Sequence, residues 1–225
     1  MNARGLSAII TIAKYFDEGE LLRIMNSTNG IITVFAGSAS RPFAQKMCDY
    51  LGVELGKSTT HIFSEGGIYV RADESIRNKD VYIVQSIGKD PNNAFTELIF
   101  WIDAFKRASA NSITAIIPYF GYAKADKKDE PRVSIRARVC ADCIEMCGAD
   151  RVVTMDLHAA QVQGFFSKPV DHLYASALLC EYARHLGIVN ENLVVVSPDA
   201  GSAKRARAYA NILGCNVAIG DKVRI

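Results

Sequence analysis

Two short stretches carry the residue types that chemistry on phosphate requires. In the first, the apolar run Arg151-Val152-Val153-Thr154-Met155 gives way abruptly to Asp156-Leu157-His158-Ala159-Ala160. A brief β-branched run bounded by polar residues reads as a buried strand covered on both faces. A carboxylate and an imidazole two residues apart would then leave its carboxyl end on the same side. That edge is where open α/β sheets bind ligands. The pair reads as a metal or phosphate site, with Asp156 also placed to orient the His158 ring. Alone, such a histidine is more often packed or hydrogen-bonded than a ligand. His61, His172 and His185 have no comparable neighbours and receive no role.

The second stretch is Ser197-Pro198-Asp199-Ala200-Gly201-Ser202, which follows an apolar strand and opens a helix. Small residues let backbone approach a ligand, and a helix N-terminus favours phosphate. Asp199 is a candidate for Mg²⁺, which takes oxygen ligands and bridges substrate phosphates; the competing reading is a helix cap. The loops bearing His158 and Asp199 are expected to meet across a boundary between half-domains. The charged loop from Tyr122 to Arg132, with Lys124 near its start, reads either as a polyphosphate contact or as solvated surface. Lys222 and Arg224, after the strand Val217 to Ile219, could steady a transferring phosphoryl group or form a basic tail.

Two other features mislead. Cys140, Cys143 and Cys147 share one helix face, but zinc sites need a fourth ligand and a tight turn between paired cysteines. They read as small core residues. Gly52-Val53-Glu54-Leu55-Gly56-Lys57-Ser58 imitates a P-loop, yet it is one residue short between its glycines and follows a helix.

Around these stretches the chain alternates strand and helix. Strands are expected over Ile31 to Phe35, Ile68 to Ala72, Val81 to Gln85, Ile113 to Ile117 and Leu193 to Val196. Helices are expected over Pro42 to Leu51, Asn93 to Ser109 and Ser134 to Cys147, the second with Phe95, Leu98, Ile102 and Phe105 on its apolar face. The fold class is α/β, a mostly parallel sheet flanked by helices. Residues 1–30 read as an amphipathic helical extension ending in a turn at Asn26 to Gly30.

Composition narrows the classes. Of 225 residues 49% are hydrophobic, and the net charge is +2, so neither nucleic acid nor an anionic membrane is required. No apolar run approaches the roughly 20 residues of a membrane span, and the stretch after Arg4, where Lys14 and Asp17 follow with no small-residue cleavage site, is not expected to be a secretory signal. Six cysteines without disulfide-scaffold density fit reduced thiols in the cytoplasm.

An internal echo organises the whole. Ala36-Gly37-Ser38-Ala39-Ser40-Arg41 recurs as Ala200-Gly201-Ser202-Ala203-Lys204-Arg205. Each copy follows an apolar strand and precedes a helix closed by Leu-Gly, at Leu51-Gly52 and Leu213-Gly214. This reads as duplication: a first half to about Phe166, and the start of a second that would need about a hundred more residues to match it.

Five motifs, in order from about Ile32 onward, carry a family resemblance: Phe63-Ser64-Glu65-Gly66, Ile117-Pro118-Tyr119-Phe120-Gly121-Tyr122-Ala123, Asp156-Leu157-His158-Ala159, Gln163-Gly164-Phe165-Phe166 and Ser197-Pro198-Asp199. The chain resembles ribose-phosphate pyrophosphokinase, also called phosphoribosyl pyrophosphate synthetase. The resemblance implies two phosphoribosyltransferase-like halves, here residues 31–170 and the beginning of the second at 171–225. It implies transfer of diphosphate from MgATP to the 1-hydroxyl of ribose 5-phosphate, giving phosphoribosyl pyrophosphate and AMP. By position, His158 and Asp199 with Asp156 would serve the magnesium site, Lys222 would be the catalytic lysine, and Arg224 would bind ATP. Lys124 falls on the ATP side, and Phe63 and Glu65 lie in an adenine-contacting loop lent to a neighbouring subunit. Self-association, commonly as a hexamer, is therefore expected. Glu65-Gly66-Gly67 stands where the family has Asp-Gly-Glu, Lys124-Ala125 where it has Arg-Gln, and Val223 where it has arginine. The family's Asp-Asp and Thr-Gly-Gly-Thr ribose-phosphate loop does not occur in these 225 residues. The alternative is a non-catalytic homologue that assembles with or regulates full-length synthetase.

Overall fold

The computed structural model describes residues 32–221; the extension expected over 1–30, and Lys222 and Arg224, lie outside the described residues. The described chain falls into two units, 32–173 and 174–221.

The first unit is built on β1 (Ile32–Ala36), β4 (Asp80–Val84), β5 (Ser112–Ile117), β6 (Arg151–Met155) and β7 (Val170–Leu173). They lie side by side in the order β1-β4-β5-β6-β7, all parallel. Val, Ile and Phe runs suit this arrangement because side chains alternate between two covered faces. On one face Phe35, Val81, Ile83, Ala115, Ile117 and Val152 pack with α2 (Pro91–Arg107) and α3 (Arg136–Cys147). On the other, Val34, Ala36 and Val84 meet Ala44 and Cys48 of α1 (Arg41–Leu51). The expected mostly parallel sheet flanked by helices is the observed one.

The exception is Ile68–Ala72. Instead of joining the main sheet as β3, it pairs antiparallel with β2 (Ser58–Ile62), a strand the pattern did not announce. A lone hairpin is marginal in water, and this one leans on α2 through Val70 and Ala72. The false P-loop before it has a plain structural use. Gly52 ends α1 in the left-handed conformation at φ 68°, and Gly56 donates to the Val34 carbonyl at 2.8 Å. A β-carbon on Gly56 would stand 2.7 Å from the Phe35 ring, so the chain passes there only as glycine.

The second unit contains α4 (Ser176–His185), β8 (Val194–Ser197), α5 (Ala203–Leu213) and β9 (Asn216–Ile219), with β8 and β9 parallel. Gly214 closes α5 at φ 72°, the same left-handed stop that Gly52 gives α1. The two copies of the echo therefore share strand, small-residue turn, helix and left-handed glycine.

Cys140 is buried, its thiol pushed up to about 12 by desolvation, and Cys48 to about 11 for the same reason. Cys143 and Cys147 are half-buried beside Cys140 on α3. Among the described residues no three His, Cys, Asp or Glu side chains converge as a metal cage. None of the described helices is long and apolar enough to cross a membrane.

Candidate functional site

Because the five strands run parallel, the turns after β4, β5 and β6 leave from one edge, and three of the five sequence motifs sit on the turns after β5 and β6. After β5, Phe120 pairs in a short parallel bridge with Ile87 from the turn after β4. Its ring also meets Phe166 at 6.3 Å, at the end of the 3₁₀ turn Ala160–Phe165 that follows β6. One aromatic contact thus ties the Pro118-Tyr119-Phe120-Gly121 and Gln163-Gly164-Phe165-Phe166 motifs together.

Asp156 and His158 both stand exposed at this edge, with Leu157 buried between them. The route differs from the one expected. Extended alternation ends at Met155, because Asp156 adopts φ 46°. Aspartate tolerates the left-handed region better than most residues, at a cost usually borne where function demands it. Two contacts hold the turn. The Asp156 amide donates to the Leu173 carbonyl at 2.9 Å, and the Leu157 amide donates to His172 Nε2 at 2.9 Å.

His172, given no role from sequence, is therefore the anchor of this loop. It pairs in register with Thr154 across β6 and β7, and Gln163 reaches to 3.4 Å from its Nδ1. No local pattern could reveal it, since β7 is four residues long and its partner lies fifteen positions away.

Burial holds the His172 imidazole below its ordinary pKa, with Asp156 pulling less strongly the other way. A histidine with a depressed folded pKa takes its proton more readily in the unfolded chain, so protonation favours unfolding. Its contribution is whole above the unfolded value of about 6.5 and is lost as pH falls from there through the lower folded value. Protonated, Nε2 no longer accepts from the Leu157 amide. Stability should decline as pH falls below about 6.5, and less steeply in His172→Gln, which costs about 1 kcal/mol at neutral pH. Equal pH slopes for the two proteins in chemical denaturation would refute this.

Lys124 ends the 3₁₀ turn Gly121–Lys124 and is exposed. Behind it Ala123 is buried, and Tyr122 is fixed by its hydroxyl bond to Asn92 and an edge-to-face contact with Phe95 at 6.1 Å. Phe63 and Glu65 lie at the exposed tip of the β2–β3 hairpin. Gly66 donates to the Phe63 carbonyl and Phe63 to that of Gly67, both at 2.9 Å, which closes a tight turn with Gly66 at φ 88°. His61 and Tyr69 make edge contacts with the Phe63 ring at 5.0 and 6.4 Å, and Phe63 remains exposed.

In the second unit, Asp199 follows β8 at the start of the turn Ala200–Ser202. Its Oδ1 accepts from the Ser202 amide at 2.9 Å, so the capping reading holds, while Ser197 Oγ donates to its carbonyl at 2.7 Å. A carboxylate has further acceptor positions on the second oxygen, and this cap remains half-buried rather than sealed.

A family profile described as the N-terminal domain of ribose phosphate pyrophosphokinase matches residues 32–148, just over half of the chain. The chain belongs to the ribose-phosphate pyrophosphokinase family. Family relatives bear this out. A ribose-phosphate pyrophosphokinase of Porphyromonas gingivalis is 49% identical over 201 residues, covering 89% of this chain and 63% of that protein. A chloroplastic ribose-phosphate pyrophosphokinase of Arabidopsis thaliana is 44% identical over 215 residues, covering 95% of this chain and 54% of that one. The crystal structure of phosphoribosylpyrophosphate synthetase from Mycobacterium smegmatis superposes with a TM-score of 0.81 at 42% identity, over 86% of this chain and 65% of that chain. The chain thus spans less than two thirds of the length of these family members.

Proposed function

We propose that the chain forms the nucleotide and metal side of a ribose-phosphate diphosphokinase, which transfers diphosphate from MgATP to the 1-hydroxyl of ribose 5-phosphate and releases AMP. The observation that carries this reading is the family match over 32–148 together with family motifs on turns at one edge of a parallel sheet. In this reading residues 1–30 are an extension, 31–170 the first phosphoribosyltransferase-like domain, and 171–225 part of the second. Phe63 and Glu65 contact adenine bound by a neighbouring subunit, which requires a homo-oligomer, expected as a hexamer in the cytoplasm. Lys124 and Arg224 face ATP, and Lys222 is the catalytic lysine.

Asp156, His158 and Asp199 are the residues that would hold magnesium. Two carboxylates on open turns suit an ion that prefers oxygen and keeps water and substrate phosphates for its other positions. Magnesium held there would supply positive charge to neutralise the substrate's phosphates. The chain's share of catalysis is positioning: it aligns the β-phosphorus for attack and offsets developing charge with fixed cations.

Equilibrium dialysis of ATP tests the reading. ATP should bind weakly, only with Mg²⁺, and His158→Ala with Asp156→Asn should abolish binding without lowering the melting temperature. Magnesium-independent binding, or none at millimolar ATP, would overturn it. AMP formation dependent on ribose 5-phosphate should be negligible from these 225 residues, which carry no Thr-Gly-Gly-Thr loop.

A further inference from the structure

The first copy of the echoed turn, Ala36 to Arg41, leaves β1 where a phosphate cradle would be expected: small residues, successive backbone N–H groups and a following helix. The four amides from Gly37 to Ser40 are already used. Gly37 donates to the Val84 carbonyl at 2.9 Å and Ser40 to the Gly37 carbonyl at 3.0 Å. Ala39 donates to Gln85 Oε1 at 3.2 Å, and Ser38 donates to Glu97 Oε1 at 2.9 Å.

Glu97 is only 2% exposed, although it lies in the middle of α2. Besides the Ser38 amide, its two oxygens accept from Ser38 Oγ, from Gln85 Nε2 at 2.8 Å, from Trp101 Nε1 at 3.3 Å and from Thr60 Oγ1 at 3.3 Å. Among the described residues no cation pairs with it. A buried carboxyl group costs several kcal/mol unless its acceptor positions are filled, and here five donors from four segments fill them.

We infer that Glu97 is a built-in anion: its carboxylate takes the Ser38 amide and hydroxyl that a bound phosphate would use, and with Gln85 on the Ala39 amide it closes the β1–α1 turn to phosphate. The geometry of the two copies supports a division of labour. In the second copy the Ala200 and Gly201 amides have no bonded partner among the described residues, and both residues are exposed. Among the described residues no buried carboxylate from another element enters that turn; its own Asp199 caps Ser202. In the cleft of about 380 Å³ over the first turn, lined among others by Gly37, Ser38, Arg41, Ser58, Thr59 and Thr60, the Gly37 and Ser38 amides and the Ser38, Thr59 and Thr60 hydroxyls are thus already spent. The inference concerns the first turn alone and does not depend on the reaction proposed above.

Two measurements test it. In the unmodified chain, the Ser38 and Ala39 amides should be protected from hydrogen exchange and should not shift in NMR spectra when millimolar pyrophosphate is added. A pyrophosphate-dependent shift at either amide would overturn the inference. In the full chain carrying Glu97→Ala, the melting temperature should fall by about 5–10 °C. Formate should restore at least half of that loss when chloride at equal ionic strength does not, and should leave the unmodified chain unaffected. Formate acting no better than chloride would also overturn it. If the variant gives no folded protein, the amide measurement decides alone.

Discussion

Trp101→Ala should lower the unfolding free energy by about 4 kcal/mol and the melting temperature by roughly 10 °C. Trp101 is fully buried, with its ring 5.2 Å from Phe105 and 6.1 Å from Phe35, while Phe35 and Phe105 lie 4.9 Å apart. These three rings join α2 to β1, and Phe35 is also the surface on which Gly56 rests. Truncation would leave a void on one side and remove a donor from Glu97 on the other. Trp101→Phe separates the two effects: most of the packing stays, the Nε1 bond goes, and the loss should be about 1–2 kcal/mol. Because this is the sole tryptophan, unfolding is best followed by far-UV circular dichroism. A loss under about 1 kcal/mol for the alanine variant would show that the ring cluster does not anchor the core.

That cluster also marks what could be read in advance. Leu98, Ile102 and Phe105 announce the buried face of α2 by their spacing, and all three are fully buried. The buried strands were equally legible, since a short β-branched run has few other homes. Glu97 was not. Within the helix it looks like any solvated glutamate, and what makes it a buried hub is a set of donors as far as 59 positions away. The hairpin strand Ser58–Ile62 was missed for a related reason: it is half-exposed and polar, so no alternation betrays it. His172 needed β7 to be known first. At Asp156 the exposed site residues were found, but by an argument the backbone does not follow, since a left-handed φ interrupts the strand. Local pattern thus finds elements and motif turns, whereas the polar contacts that fix those turns arise only when distant strands are brought side by side.

Gly121→Ala should cost about 3 kcal/mol and lower the melting temperature by roughly 8 °C. The cause is steric alone. Gly121 has no positive φ, so alanine could adopt its conformation, and the stiffer unfolded chain would slightly favour folding. A β-carbon there, however, would lie far inside contact with the Ile87 carbonyl oxygen and 3.5 Å from Ile87 Cγ2. Ile87 cannot yield as a flexible side chain would. Its own amide donates to the Tyr119 carbonyl at 2.8 Å, its side chain is fully buried, and it forms the bridge to Phe120. Relief must therefore push the turn after β5 away from the turn after β4, carrying Tyr122 and Lys124 with it. Gly164, on the neighbouring turn, supplies the control: a β-carbon there meets nothing within 4 Å and its φ is likewise not positive. Gly164→Ala should leave the melting temperature unchanged or slightly raised. Should the two alanine variants melt together, close approach of backbone at Ile87 is not what requires glycine in the Phe120-Gly121-Tyr122 motif. Should only Gly121→Ala fail, and MgATP binding weaken with it below the melting range, the motif's glycine holds the exposed lysine in place through a backbone contact.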